Sequence, residues 1–195
     1  MQSRILALLL ITTSVFYGAT AMAQNPYPRV RVETNVGSFV VELDGPRAPV
    51  TVANFLRYVR EGSYDGSIFH RVIPGFMVQG GGLDGEYREL PDSGPVPNES
   101  GNGLSNERGT IAMARTGDPH SATRQFFINL ADNPRLDPRA SGWGYTVFGR
   151  VVEGMDVVDR IAVIPTGPGG PFPTDVPQKP VIIEKMTLLG DAEGG

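Results

Sequence analysis

Phe69-His70-Arg71-Val72-Ile73-Pro74-Gly75-Phe76-Met77-Val78-Gln79-Gly80-Gly81 holds two short apolar runs, Phe69–Ile73 and Phe76–Val78, on either side of a Pro-Gly bend. Both runs have strand length, and Pro and Gly are the residues that punctuate strands. The stretch also gathers a permanent cation (Arg71), a side-chain amide (Gln79) and two large apolar groups (Phe76 and Met77). A purely structural reading makes Phe76 and Met77 core and leaves Arg71 a solvated charge, because apolar residues at strand spacing usually pack. Composition alone favours that reading.

Similar runs recur downstream at Ile111–Ala114, Phe126–Leu130 and Thr146–Phe148, each bounded by Gly, Pro or Asn. Upstream, Arg29-Val30-Arg31-Val32-Glu33 alternates strictly, Thr34-Asn35-Val36-Gly37 offers turn chemistry, and Ser38–Leu43 is again strand-like. This spacing predicts a β-hairpin. Thr51 then reads as an N-cap, with Val52, Phe55, Leu56 and Val59 at helical spacing before a stop at Gly62. A second helix is expected over Met155–Ala162, with Met155, Val158 and Ile161 on one side. A last strand is expected over Val181–Leu189, after the Pro/Gly-rich connector Pro165–Pro180. Many short strands, two helices, 25 Gly and 17 Pro point to a mainly antiparallel barrel or sandwich. The helices are too few and too unevenly spaced for repeated βαβ units. Residues 81–108 show no periodicity and read as a long surface loop within one domain, since long loops are usually functional or disordered.

The 195 residues carry a formal net charge of −4, with 40% hydrophobic and 19% charged side chains, a globular composition. No basic cluster stands out, which argues against nucleic-acid partners. Cysteine is absent, so disulfides, thiolate metal sites and a cysteine nucleophile are excluded, and with His70 and His120 alone so is a multi-histidine metal centre. Arg4, the apolar run Ile5–Ala19 and Ala21-Met22-Ala23 have the three-part form of a secretory signal peptide, cleaved before Gln24. An uncleaved anchor is the competing reading, but Thr12, Thr13, Ser14 and Gly18 interrupt a run already short for a span of about 20 residues. Residues 1–23 are therefore expected to be removed, leaving 24–195 as a single exported domain with no membrane segment.

Three motifs are decoys. Asp92-Ser93-Gly94-Pro95 resembles a serine-protease nucleophile segment but lacks its flanking glycines, and reads as a turn. Asn98-Glu99-Ser100 fits a glycosylation sequon, as does much chance sequence. Gly80-Gly81-Gly82 lacks the Lys-Ser/Thr of a phosphate loop and reads as a sharp turn or a close backbone approach.

The Phe69–Gly81 run closely resembles the signature of cyclophilin-type peptidyl-prolyl cis–trans isomerases. Gly109–Arg115 continuing through Ser121–Asn129, and Gly144–Gly149 running into Val152–Met155, resemble that family's other motifs in the same order. The likeness covers roughly residues 28–190, and with the signal peptide it is nearest the bacterial periplasmic branch. The resemblance implies a closed eight-stranded antiparallel barrel capped by two α-helices, with an outer groove for an extended Xaa-Pro peptide. It implies Arg71 as the catalytic arginine and Phe76, Met77, Phe127 and Leu136 as the proline pocket. Gln79 and Gln125 match polar groups that orient the arginine and the substrate. Ala114 and Arg115 stand where backbone pairs with the peptide, and Tyr145 takes the place of a hydrogen-bonding aromatic. Arg135 replaces a Trp that many members use against cyclosporin, so weak binding of that drug is expected. The implied partners are Xaa-Pro segments of unfolded or partly folded polypeptides, the implied state is a monomer, and no metal or cofactor is required.

These residue types suit the reaction. Resonance gives peptide rotation a barrier of about 18–20 kcal/mol, and at prolyl bonds exchange takes tens to hundreds of seconds. A guanidinium beside the prolyl nitrogen can donate a hydrogen bond that strengthens as that nitrogen pyramidalises, and Arg is always charged and rigid. An apolar slot grips the ring and excludes water. His70 should point away from Arg71 in an extended run and act structurally. A peptide-binding module or holdase with the same groove is the alternative, but a pure binder has no need of the arginine.

Overall fold

Arg29–Thr34 (β1) and Gly37–Leu43 (β2) form the expected hairpin in a computed structural model that describes residues 25–190. The expected signal peptide lies outside the described residues. The chain continues through Pro49–Arg60 (α1), Arg71–Ile73 (β3), Met77–Gly80 (β4), Thr110–Met113 (β5), Phe126–Asn129 (β6) and Val147–Glu153 (β7). It ends with Met155–Ala162 (α2), Thr166–Gly169 (β8), Phe172–Pro177 (β9) and Ile183–Leu189 (β10). Eight strands make one antiparallel sheet in the order β10-β1-β2-β7-β5-β6-β4-β3.

The sheet is an open half-barrel, which corrects the expectation of a closed one. No ladder joins the edge strands β3 and β10. The Pro74-Gly75 bend ends β3 after three residues, too few to carry one. The seam is held by an isolated bridge, Ile68 to Ile182, with Phe69 N–H donating to the Val181 carbonyl at 2.9 Å and Ile183 N–H to that of Ser67 at 2.8 Å. The connector Pro165–Pro180 also differs from expectation, since it folds into a second sheet, the hairpin β8–β9. Its Pro and Gly content masked the alternation from which strands are read.

The main core lies inside the curve. Phe55 of α1 meets Tyr64, Phe126 and Phe148 at ring separations of 5.2, 5.6 and 5.3 Å, and Phe69 adds an edge contact to Phe126. Tilted and edge-on pairs of this kind add to the value of burying the rings. Val158 and Ile161 of α2 complete the cluster. β4, β6, β5 and β7 are apolar on both faces. Val78, Ile128, Ile111 and Phe148 point into this core, while Met77, Phe127, Ala112 and Val147 form a second cluster outside. Strand alternation produces this split, and it explains why these segments read as continuous apolar runs.

Residues 81–108 run without a regular strand but are tied down throughout. Arg124, only 3% exposed, donates to the carbonyls of Gly81 (2.8 Å), Pro91 (2.6 Å) and Ser63, and lies over the rings of Tyr58 and Tyr64. Ser93 N–H donates to the Tyr58 hydroxyl, and Asp92 accepts from Gly94 N–H, so that segment is the expected turn. Asn98 is buried and donates to the Pro119 and Gly144 carbonyls, so it cannot serve as a glycan acceptor in this fold.

Glu99 corrects the expected start of α1. The helix begins at Pro49, after Ala48, which offers no side-chain cap, and Thr51 lies within the first turn. The cap arrives from the loop instead: the Glu99 carboxylate accepts from Val50 N–H (3.1 Å), Thr51 N–H (2.8 Å) and the Thr51 hydroxyl (2.7 Å). An anion at a helix N-terminus satisfies orphan donors and opposes the helix dipole. Glu99→Ala is therefore expected to cost about 1.5–3 kcal/mol, the range for hydrogen bonds to a charged group. Urea unfolding checks this, and a loss below about 0.5 kcal/mol would remove Glu99 as the cap.

His70 is 4% exposed, faces inward, and stacks on Phe172 of β9 at 5.6 Å. Burial, reinforced by the neighbouring Arg71 charge and partly opposed by the Ile68 backbone, pushes its pKa from 6.5 down to about 4. The unfolded chain takes up this proton near pH 6.5, so the stability tied to neutral His70 is complete above that pH and is lost as pH falls towards 4. Between pH 7 and pH 4.5, wild type should lose about 2–3 kcal/mol more than His70→Gln in urea unfolding. Equal losses would mean that His70 is protonated in the fold.

Candidate functional site

Register sets the site. On the outer face Arg71 of β3 stands opposite Gln79 of β4, Gln79 opposite Phe127 of β6, and Phe127 opposite Ala112 of β5. Directly opposed residues share a face, so cation, amide and aromatic ring form one row across the strands. Met77, next along on the same face, is 2% exposed and Phe127 is 4% exposed, so together they make an apolar floor. Phe76 joins from the Pro74-Gly75 bend, where its N–H donates to the Ile73 carbonyl at 3.0 Å.

The far wall comes from loops. Leu136 and Tyr145 are joined by a bond from Tyr145 N–H to the Leu136 carbonyl at 2.8 Å, and the Tyr145 ring stands edge-on to Phe127 at 5.7 Å. A buried amide network positions Leu136. Asn133 Nδ2 donates to the carbonyl of Phe76 (3.0 Å) and to Asn129 Oδ1 (2.7 Å), while Asn106 donates to Asp137 through both its backbone N–H and Nδ2. Leu136 is thereby held against the strands that carry the floor. Arg135 beside it is exposed.

The result is one cavity of about 180 Å³, lined by Arg71, Gln79, Phe76, Met77 and Phe127 on the strand side and by Leu136, Tyr145, Ala114 and Arg115 on the other. Nine of the ten residues singled out in the sequence meet there. The tenth, Gln125, lines an adjoining hollow of about 190 Å³ that shares Gln79, Ala114 and Arg115. Gln125 Oε1 accepts from Gln79 Nε2 at 3.0 Å. Its side chain lies flat on Gly82, where a Cβ would stand 2.2 Å from Gln125 Cγ. That contact explains the glycine, as a close approach rather than a phosphate loop.

The two arginines are held differently. The Arg115 guanidinium lies 4.5 Å over the Tyr145 ring and donates to the carbonyls of Gly144, Trp143 and Thr116. The Ala114 N–H is committed to the Gln125 carbonyl at 2.9 Å, so any pairing of Ala114 with an extended peptide falls to its own carbonyl. Arg71 is half exposed, as expected for the residue opposite in direction to buried His70. Its guanidinium does not bond Gln79. The partner is Asp175 of β9, with Nε 3.5 Å from Oδ2. Sequence reasoning missed Asp175 because it lies in the segment read as a connector. Only an acid beside a strand-like Phe-Pro-Thr run could have signalled it.

Chemically, the lining has no carboxylate, imidazole or thiol; its ionisable groups are two guanidiniums and one phenol. Such a cavity can hold a small apolar ring and direct hydrogen-bond donors at it, but it is not equipped for proton shuttling near neutral pH.

The sequence model described as "Cyclophilin type peptidyl-prolyl cis-trans isomerase/CLD" matches residues 29–188. The chain is 47% identical over 189 residues to peptidyl-prolyl cis-trans isomerase A of Dickeya dadantii, covering 97% of this chain and 99% of that one. It is 52% identical over 162 residues to peptidyl-prolyl cis-trans isomerase B of Escherichia coli, covering 82% and 98%. A cyclophilin-type isomerase of Cryptosporidium parvum has the same fold, with a TM-score of 0.69 at 26% identity over 85% of this chain and 99% of that one. The same Cryptosporidium protein has also been solved in the presence of the dipeptide Ala-Pro, and that structure matches with a TM-score of 0.68. With its cavity and its relatives in agreement, the chain belongs to the cyclophilin-type peptidyl-prolyl cis-trans isomerases.

Proposed function

We propose that this isomerase acts on Xaa-Pro bonds of exported polypeptides as they fold, with Arg71 as the electrostatic catalyst. The observation that carries the reading is the pairing, in one cavity, of a half-exposed guanidinium with an apolar floor of Met77 and Phe127. The proline ring occupies the slot between Phe76, Met77, Phe127 and Leu136, and the acyl side of the bond is free to turn. As the bond twists, the lone pair withdraws from the carbonyl onto the nitrogen, and a donor from Arg71 stabilises it there. The guanidinium thus contributes more to the transition state than to the planar ground states, which is the requirement for raising turnover. Neither proton transfer nor a covalent intermediate is involved. Gln79, fixed by Gln125, and the carbonyl of Ala114 align the peptide. The Ala-Pro dipeptide present with the Cryptosporidium relative fits a site of this kind.

Export belongs to the same reading. The Ala21-Met22-Ala23 sequence supports cleavage before Gln24 and with it a working enzyme in the periplasm, which we propose acts as a monomer. The intact mass of the native protein should correspond to a chain starting at Gln24. A full-length, membrane-retained product would contradict it.

The catalytic assignment is tested by NMR exchange on an Xaa-Pro peptide. Arg71→Ala should lower kcat/KM roughly a hundredfold to thousandfold, the scale of losing one preorganised donor. Peptide Kd and Tm should hardly move, because the slot remains and an exposed ion pair is worth only about 0–1 kcal/mol. Arg71→Lys should not restore the rate, since a hydrated ammonium lacks the planar fork. Cyclosporin added to the same assay should inhibit weakly, and Arg135→Trp should tighten it by roughly tenfold to a hundredfold. Should folded Arg71→Ala stay within about threefold of wild type, the arginine is not the catalyst and the binding-module reading replaces this one.

A further inference from the structure

We propose that Asp175 is a positioning residue for Arg71 and that the β8–β9 hairpin exists to deliver it. This rests on the assignment of Arg71 above. The hairpin makes no ladder with the main sheet. It meets β3 through side chains, on both faces of the His70-Arg71 pair. On the inner side Phe172 stacks on His70 at 5.6 Å, and Tyr87 closes over Phe172 with a ring separation of 6.3 Å. On the outer side Asp175 reaches Arg71.

The hairpin is fixed tightly for a segment with so little sheet contact. Gln178 closes its base, with its N–H donating to the Pro165 carbonyl at 2.8 Å and Nε2 donating to the carbonyls of Pro168 and Val176. Val176 is buried. At the tip Gly170 rests against Tyr87, where a Cβ would stand 2.5 Å from the ring, and its φ of +50° is one that other residues avoid. Two non-glycine residues have positive φ among those described, Tyr87 at 62° and Asp175 at 68°, and both belong to this unit. Asp tolerates the left-handed region better than most residues but still adopts it at a cost. Strain kept at a position that contacts the reactive side chain points to function.

The geometry of the contact defines the role. Asp175 engages Nε, the nitrogen nearest the stem. The two terminal nitrogens of Arg71 have no hydrogen-bond partner among the described residues and remain available to the substrate. With side chains 46% and 34% exposed, the pair is too well solvated to matter much for stability. What it can do is restrict a long, flexible side chain to one rotamer, so that the donor is already aimed when the nitrogen pyramidalises. Gln79 stands opposite Arg71 but is occupied with Gln125, which leaves Asp175 as the orienting group.

The test compares Asp175→Asn, which keeps the shape and removes the charge, with Asp175→Gly, which removes the side chain at a φ that glycine accepts freely. Each is made alone and in the Arg71→Ala background, and kcat/KM, peptide Kd and Tm are measured. Both single variants should lower kcat/KM by about threefold to tenfold, within the coupling expected for contacting residues. Peptide Kd should stay within about twofold and Tm should hold, because neither the slot nor the core is touched. In the Arg71→Ala background Asp175→Asn should have no further effect, since its influence passes through the missing guanidinium. If Arg71→Ala is impaired while both Asp175 variants match or exceed wild type, or if Asp175→Asn costs as much without Arg71 as with it, the positioning role is overturned and the catalytic arginine stands. If Arg71→Ala itself is unimpaired, both fall together.

Discussion

Strand alternation carried through four adjacent strands organises everything else in this molecule. Because successive side chains leave a strand on opposite faces, β4, β6, β5 and β7 present Val78, Ile128, Ile111 and Phe148 to the interior and Met77, Phe127, Ala112 and Val147 to the outside. Most sheets with one solvated face make that face polar. Here it is apolar as well, so it must be covered or used. Val147 and Ala112 are buried in a cluster against which the loop residues Leu104 and Tyr145 pack. Met77 and Phe127 form the floor of the cavity. A one-residue slip in any of these strands would exchange the two faces and destroy core and site together.

The walls around that floor depend on polar ties, which a pattern of apolar residues does not report. Arg124 reaches three carbonyls from a buried position with no salt bridge among the described residues, and burial lowers its pKa against the opposing pull of Tyr64, Tyr58 and Asp92. Its cost is offset because each donor replaces water with an oriented backbone acceptor, and because the guanidinium also lies over Tyr58 and Tyr64. Glu99 and the Asn106–Asn129–Asn133–Asp137 network act similarly for the rest of the loop and for Leu136. The segment 81–108 is thus structured by side chains acting on backbone groups, with hardly any of its own ladder bonds.

That difference explains what was legible in the sequence. The hairpin β1–β2 and the helix α2 followed from periodicity, and the cavity residues followed from a likeness to ordered motifs. The start of α1 was misplaced because its cap is Glu99, far away in sequence, while local rules pointed to Thr51. The closed barrel was an expectation from the family likeness, which carries no information on this chain's edge length, and β3 stops at Ile73, before Pro74. The hairpin β8–β9 was invisible because four prolines and three glycines between residues 165 and 173 obscured two genuine strands. Asp175 was lost with it.

Separation of the reactive group from the fold's stability follows from the same geometry. Arg71 sits on the short edge strand β3, half exposed, while its neighbour His70 on the opposite face is buried and held neutral to about pH 4. The buried residue ties the strand to the β8–β9 hairpin through Phe172, and the exposed one is left to chemistry. A catalyst that stabilises a twisted amide needs a donor fixed in direction, because a donor that must reorganise as the nitrogen pyramidalises gives back part of what it gains. An arginine free on an edge strand would have that fault. Packing against a hairpin that is itself locked by Tyr87 and Gln178 removes it, and does so from outside the cavity, so the slot for the proline ring stays unobstructed.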